Sequence, residues 1–418
     1  MTWDIFCTVI DNYGDIGVTW RLARQLADEH AVPVRLWVDD LRAFQHLRPE
    51  IDPALPTQHL AGVEIRHWTT PLADAEPGEV VIEALACNLP EEFVARMAAR
   101  QPAPIWLNLE YLSAEDWVAS VHGLPSPHPR LPLTKYFFMP GYTENTGGLM
   151  RESWLTARRD AFRADESNVG RKSGSAFRRP PQACGFNVNG RHDIGGGRRF
   201  AFPPYELPLQ ADELLVSLFS YENQALPSLL QAWASGGDAV RVFVPVGKAL
   251  PEIAAWFGET VPAPGVIWQR GALTLHVLPM LDQDAYDRLL WACDLNFVRG
   301  EDSFVRAQFA ARPLVWQAYV QDDNAHFAKL DAFLALYCAG MDAQLAARTR
   351  TLWRAWNHEA EIETGIEAEI ETDMSALWPQ LRDALPALTA HARAWDTRLA
   401  AQADLATNLL NFCRKWLK

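Results

Sequence analysis

The stretch Ile10-Asp11-Asn12-Tyr13-Gly14-Asp15-Ile16-Gly17 follows an apolar run from Ile5 to Ile10 and precedes a segment with apolar residues at helical spacing from Val18. That order reads as strand, loop, helix. Gly14 and Gly17 permit a tight turn, and Asp11 and Asp15 fall at the carboxyl end of the first strand, where an open α/β sheet places its ligand site. Turn chemistry explains the same residues, with Asp15 as N-cap of a helix beginning at Val18. Both readings stay open on this stretch alone.

Working outward, Val18, Leu22 and Leu26 with Ala23 and Ala27 give a helix to Glu29, and Val32 to Val38 returns as a strand ending in Asp39-Asp40. Further strand runs are Val63 to His67, Val80 to Glu83, Ile105 to Leu109 and Tyr136 to Met139, with a helical pattern at Pro90 to Ala99. Such alternation predicts a mainly parallel, doubly wound sheet. A second series begins at Leu214 to Phe219. Strands follow at Val240 to Pro245, Leu273 to Leu278, Leu295 to Val298 and Leu314 to Trp316, and helices at Leu226 to Ala234, Leu250 to Phe257 and Asp284 to Ala292. Two Rossmann-like domains facing a cleft are therefore expected: residues 1–206, residues 207–386, and a final helix, Ala387 to Trp416, that crosses back onto the first domain.

Between the two series, about Arg151 to Pro204, glycines and arginines replace apolar periodicity. This reads as a solvated loop or linker insertion, because its arginines lack interleaved aromatics for base stacking. The acidic run His358 to Asp373, with Glu-Ile-Glu-Thr twice, reads as a solvated helical face or loop.

Composition narrows the class. At 418 residues the chain is long enough for two to three domains of about 150 residues. With 49% hydrophobic and 22% charged residues it is globular, and its 17 Trp belong to cores or interfaces. The charge of −14 disfavours binding along a phosphate backbone and suits a cationic acceptor. The first residues lack a basic region followed by an apolar one, and no later run approaches the roughly 18 apolar residues of a membrane span, so a soluble, cytoplasmic protein is expected. Six cysteines without a C-x-x-C pair read as free thiols, not zinc or redox sites.

Neither half carries G-x-G-x-x-G or G-x-x-x-x-G-K-[ST], which disfavours nicotinamide and P-loop enzymes. Two Rossmann-like halves without a dinucleotide fingerprint resemble the B-type (GT-B) glycosyltransferases, whose second domain holds a nucleotide-sugar and whose acceptor meets it across the cleft. The pairs Asp39-Asp40 and Asp322-Asp323 read as surface or cap residues, so no metal site is expected. In Phe297-Val298-Arg299-Gly300-Glu301-Asp302-Ser303-Phe304-Val305-Arg306-Ala307-Gln308 a strand runs into a helix start, whose N–H groups suit a diphosphate. Arg299 adds a cation and Ser303 a hydroxyl, while Glu301 is better placed toward sugar hydroxyls. A capped helix with nothing bound fits equally well. In Ser217-Leu218-Phe219-Ser220-Tyr221-Glu222-Asn223 two aromatics two apart share one side, as base-stacking rings or as core.

Together these stretches resemble the EarP-type protein-arginine rhamnosyltransferases, which glycosylate bacterial translation elongation factor P. The resemblance extends from Trp3-Asp4-Ile5-Phe6-Cys7 and Asp11-Asn12-Tyr13-Gly14-Asp15-Ile16-Gly17-Val18, through Leu36-Trp37-Val38-Asp39-Asp40 and Met139-Pro140-Gly141-Tyr142-Thr143-Glu144, to Arg299 through Gln308. It implies a GT-B fold, dTDP-β-L-rhamnose as donor, no cofactor or metal, elongation factor P as partner, and inversion at the anomeric carbon. It places Asp15 as general base, Asp11 beside it in the acidic loop, and Glu301 as an essential acid. Phe219 and Tyr221 fall near the thymine, Gln283 and Arg299 on donor contacts, and Asp302 and Ser303 on ribose and diphosphate contacts. Where an aromatic is expected to cover the thymine, Met280 stands instead, and the Gly/Arg-rich insertion is larger than usual. Two rival functions are a GT-B enzyme with another nucleotide-sugar or a small acceptor, and a nucleic-acid or ribosome-associated module using the Arg151 to Arg199 tract.

Overall fold

Every residue of the first strand, Trp3–Cys7, is buried, as expected of a central parallel strand covered on both faces. Even its one charge is accommodated. Asp4 accepts from Arg35 Nε (2.7 Å), Trp37 Nε1 (2.9 Å) and the Gly78 N–H (2.7 Å). The computed structural model describes residues 1–10, 13–69, 72, 75–164, 213–321, 324–357 and 373–416. Asp11, most of the Gly/Arg-rich insertion, Asp322-Asp323, the acidic stretch 358–372 and the expected 206/207 boundary lie outside the described residues.

The first sheet contains β1 (Trp3–Cys7), β2 (Val34–Val38), β3 (Thr57–Leu60), β4 (Val63–His67), β5 (Val80–Ala84), β6 (Ile105–Leu109), β7 (Pro125–Pro127) and β8 (Thr134–Phe138). Their order is β3-β4-β2-β1-β5-β6-β8-β7, parallel inside and antiparallel at both edges. The second contains β9 (Leu214–Leu218), β10 (Val240–Pro245), β11 (Ile267–Arg270), β12 (Leu273–Leu278), β13 (Leu295–Arg299) and β14 (Leu314–Gln317), ordered β11-β12-β10-β9-β13-β14. Only β11 runs antiparallel there. The edge strands β3, β7 and β11 are additions to the expected strands.

This topology predicts where ligands go. In the first sheet the chain leaves β1 toward β2 and later returns on its other side as β5; in the second it does the same around β9, with β13. Each reversal opens a crevice at the carboxyl ends of those strands. Asp15, in the first helical turn, and Leu85 stand there in one half, and Phe219, Gly300 and Glu301 in the other.

Two helix boundaries differ from expectation in ways that matter. The first helix is Gly14–His30, so it begins before Val18, Tyr13 occupies the cap without a side-chain bond, and Asp15 lies within the first turn. Asp15 is therefore not the N-cap. The segment expected as one final helix is the end of Met374–Ala400 followed by a separate helix, Leu405–Arg414. The former carries Trp395 against Tyr337 of the second half, and the latter sets Phe412 against Tyr136 and Phe138 of the first sheet.

A buried ionic cluster joins the halves. Arg21, in the first helix, reaches Asp302 (2.7 Å), Asp287 (3.1 Å) and Glu152 (3.5 Å), and Arg306 reaches Asp287 (2.6 Å) and Glu152 (2.5 Å). Breaking such a matched cluster leaves a buried charge without compensation, which costs far more than an exposed pair returns. Burial, the largest single influence, raises the Glu152 carboxyl, yet the guanidiniums of Arg306, Arg21 and Arg24 together hold it well below the usual carboxylate range.

Candidate active site

The acceptor side is built from the end of β1. The Asp15 side chain is 1% exposed and turns back along its own loop, accepting from the Ile10 N–H at 2.8 Å. Its other oxygen lies 3.0 Å from the Tyr111 hydroxyl, which is also 3.2 Å from the Leu85 carbonyl. Burial first, and then the Asp15 charge, push the Tyr111 phenol upward, so it stays a neutral donor. Leu85 and Ala86 adopt left-handed φ of 56° and 63°, a conformation disfavoured for side chains with a Cβ, and this tight turn points the Leu85 carbonyl at Tyr111.

Glu301 arrives from the opposite half. After β13 the chain reverses at Gly300, whose φ of +60° suits a residue without Cβ, and enters the Asp302–Phe309 helix with Glu301 at its cap. The Glu301 carboxylate crosses the cleft to accept from the Leu112 N–H at 2.9 Å. Burial pushes its carboxyl up to about 7, with Asp15 adding in the same direction, while the Leu112 N–H and the Lys329 charge oppose the rise. Asp15, Glu301, Tyr111, Trp316, Tyr319 and Lys329 all line one cavity of about 230 Å³. An acidic, aromatic-walled cavity of that kind suits a planar cation.

A second cavity adjoins the first. Both are lined by Gly14, Gly300 and Glu301, and the second is otherwise bounded by Phe219, Met280, Gln283, Tyr286, Arg299, Asp302 and Ser303, with Tyr13 and Leu47 from the first half. Its volume is about 60 Å³, well below the several hundred Å³ of a typical ligand pocket, so a nucleotide enters only if side chains part. The Arg299 guanidinium sits between two rings, 4.5 Å from the centroid of Phe219 and 4.4 Å from that of Tyr221. Gln283 donates to the Gly17 carbonyl at 2.9 Å and to Asp302 at 3.2 Å, and its buried Oε1 has no partner among the described residues.

Residues 3–189 and 196–414 match the family described as the elongation factor P (EF-P) rhamnosyltransferase EarP. The chain belongs to this family. A protein-arginine rhamnosyltransferase of Pseudomonas putida is 47% identical over 100% of this chain and 99% of its own length, and one of Pseudomonas aeruginosa is 45% identical over 100% of both. A solved structure from work on EarP-mediated arginine glycosylation of translation elongation factor EF-P aligns over 99% of both chains, with TM-score 0.60 and 34% identity. The architecture is accordingly the two-domain GT-B fold.

Within this EarP-family site, the sequence-predicted residues are unevenly disposed. Asp15 and Glu301 share one cavity, and Phe219, Met280, Gln283, Arg299, Asp302 and Ser303 line the other. Tyr221 is not among the lining side chains; it packs behind Arg299 and against Tyr319, because a guanidinium fills the space between the two rings. Asp302 is engaged by Arg21 and Gln283, and the Ser303 hydroxyl donates to the Arg299 carbonyl, so both are already bonded inside the protein. Sequence reasoning passed over Tyr111, Leu112 and Lys329. Each lies on a loop or helix face with no local pattern; the closing of the halves brings Tyr111 and Leu112 to Glu301, and Lys329 reaches the same cavity from within the second half.

Proposed function

We propose that the protein transfers L-rhamnose from dTDP-β-L-rhamnose to an arginine side chain of elongation factor P, with inversion and without a metal ion. The observation that carries this reading is the meeting of two cavities at Gly14 and Gly300-Glu301, one acidic and one holding a cation beside a helix start. Arginine is a poor nucleophile, because its guanidinium stays protonated, with a pKa above about 12, and its lone pairs are delocalised. A carboxylate cannot deprotonate it beforehand. It can pair with it, hold one nitrogen behind the anomeric carbon, and take a proton as the new bond makes that nitrogen more acidic.

Asp15 fills that role, oriented by the Ile10 N–H and the Tyr111 hydroxyl. Glu301, on the opposite wall, clamps the same guanidinium; Asp11 is proposed as a further clamp from the family resemblance. In the reaction the guanidinium nitrogen bonds to C1 of rhamnose from the face opposite the diphosphate. The C1–O bond breaks with its electron pair leaving on dTDP, and the proton passes to Asp15. Arg299, Ser303 and the N-terminal end of the Asp302–Phe309 helix face the departing charge. Phe219 and Met280 offer an apolar face and a soft thioether for the base. Counter-charge for the diphosphate comes from Arg299 and backbone N–H groups, which is why no metal is invoked.

The test is direct. Purified protein, dTDP-β-L-rhamnose and elongation factor P are incubated with and without EDTA, and the acceptor is analysed by mass spectrometry. One deoxyhexose on one arginine, in both samples, is the expected result. Transfer only from a different nucleotide-sugar would shift the reading to another GT-B activity, and loss of transfer with EDTA would overturn the metal-independent part.

A further inference from the structure

The acceptor cavity admits a cation, yet a cation already lines it. Lys329 stands on the Ala325–Tyr337 helix, partly exposed, on the same wall as His326 and facing the space that Asp15 and Glu301 share. A lysine there opposes an incoming guanidinium unless it does something for the empty enzyme. Resting on the rhamnosyl-transfer reading above, we propose that Lys329 is a positioning residue: it stands in for the acceptor's guanidinium, keeps the Glu301 carboxyl ionised before the acceptor arrives, and swings aside when it enters.

The surroundings of Glu301 support this from every side. The Gly14–His30 helix presents Asp15, and the segment after β6 presents the Leu112 N–H and the Tyr111 hydroxyl. The helix following Glu301 begins with Asp302, whose carboxylate is engaged by Arg21. The Ala325–Tyr337 helix presents Lys329 and His326. His326 accepts from the Gln321 N–H at 3.3 Å on Nδ1, and burial lowers its basicity, so it is neutral near pH 7. Asp15 and Asp302 thus raise the cost of ionising Glu301, and the side chain on the Ala325–Tyr337 helix whose charge opposes them is Lys329. Its flexible four-carbon stem allows the ammonium to leave once a guanidinium supplies the same charge.

The pH dependence of the full chain tests this, because kcat/KM reports ionisations of the free enzyme and kcat those of the loaded one. Rates with dTDP-β-L-rhamnose and elongation factor P are measured from about pH 5.5 to 8.5 for the wild type, Lys329→Met and Lys329→Arg. The acid limb of kcat/KM is expected to move upward by roughly half to one unit in Lys329→Met, while the limb of kcat moves little and Lys329→Arg restores both. Unchanged dTDP affinity by calorimetry shows that the variant is folded, and Lys329→Gln replaces Lys329→Met if it is not. Superimposable kcat/KM profiles overturn the proposal, as does an equal shift in kcat and kcat/KM. Failure of the wild type to transfer rhamnose overturns the functional reading itself and is seen separately.

Discussion

Two groups of carboxylates lie between the halves of this protein, and they are treated in opposite ways. Glu152, Asp287 and Asp302 are met by the guanidiniums of Arg21 and Arg306, and Glu152 is held strongly acidic. Asp15 and Glu301 instead accept from the Ile10 and Leu112 N–H groups and the Tyr111 hydroxyl, and Glu301 is pushed up to about 7. The first group has its arginines built in, and the second is proposed to borrow one from the substrate. Burial and acidity alone do not separate the two groups. What separates them among the described residues is the kind of donor they meet: guanidiniums in the first group, backbone N–H and hydroxyl groups in the second.

The comparison can be broken most severely at Asp15. Asp15→Asn should lower kcat by about 10²- to 10⁴-fold, while dTDP affinity by calorimetry stays near that of the wild type, because base help is lost and the donor pocket is not. A parallel loss of dTDP binding would show that the acid is structural, like its neighbours in the ionic cluster. At the other group, Arg306→Ala should cost about 3–5 kcal/mol in urea unfolding, since Asp287 and Glu152 would be left buried and under-compensated. A cost below about 1 kcal/mol would mean that water enters and the cluster is not holding the halves together.

Arg299→Ala should weaken dTDP affinity by about 10- to 100-fold, as expected for a charge-assisted contact, with Ser303→Ala weakening it only a few-fold. The Ser303 hydroxyl is already committed to the Arg299 carbonyl, so the smaller effect follows. Equal losses would place the serine on the phosphate. The mildest effect concerns stability. Glu301 has a folded pKa above its unfolded value, so its ionisation progressively costs stability as pH rises from about 4.5 through about 7. Glu301→Gln should therefore raise the melting temperature by roughly 1–3 °C at pH 8 and leave it unchanged near pH 4, even as turnover falls. A variant no more stable at pH 8 would show that Glu301 is well solvated.

The fold was largely legible because central parallel strands read as predominantly apolar runs: Leu214 to Phe219, broken only by Ser217, and Val240 to Pro245, broken only by Arg241, need no partner to be recognised. The edge strands Thr57–Leu60 and Ile267–Arg270 are short, largely solvated and antiparallel, so nothing local marks them. In the site, Asp15 and Glu301 stood out because both sit where a strand becomes a helix. Arg21 did not, since it reads as one more polar residue on an amphipathic helix, and its partner Asp302 lies 281 positions away in sequence. For Tyr221 the limit is the complementary one: spacing puts two rings on one side, but cannot say that Arg299 fills the gap between them.

The helix Leu405–Arg414 closes over rings of the first sheet that were made hundreds of residues earlier. During synthesis on the ribosome, Tyr136 and Phe138 must therefore wait, uncovered by Phe412, until the whole second half has been translated. The first half thus emerges before the second and is among the last to be finished, an order that leaves an aromatic surface open to chaperones or to self-association while the second half is made.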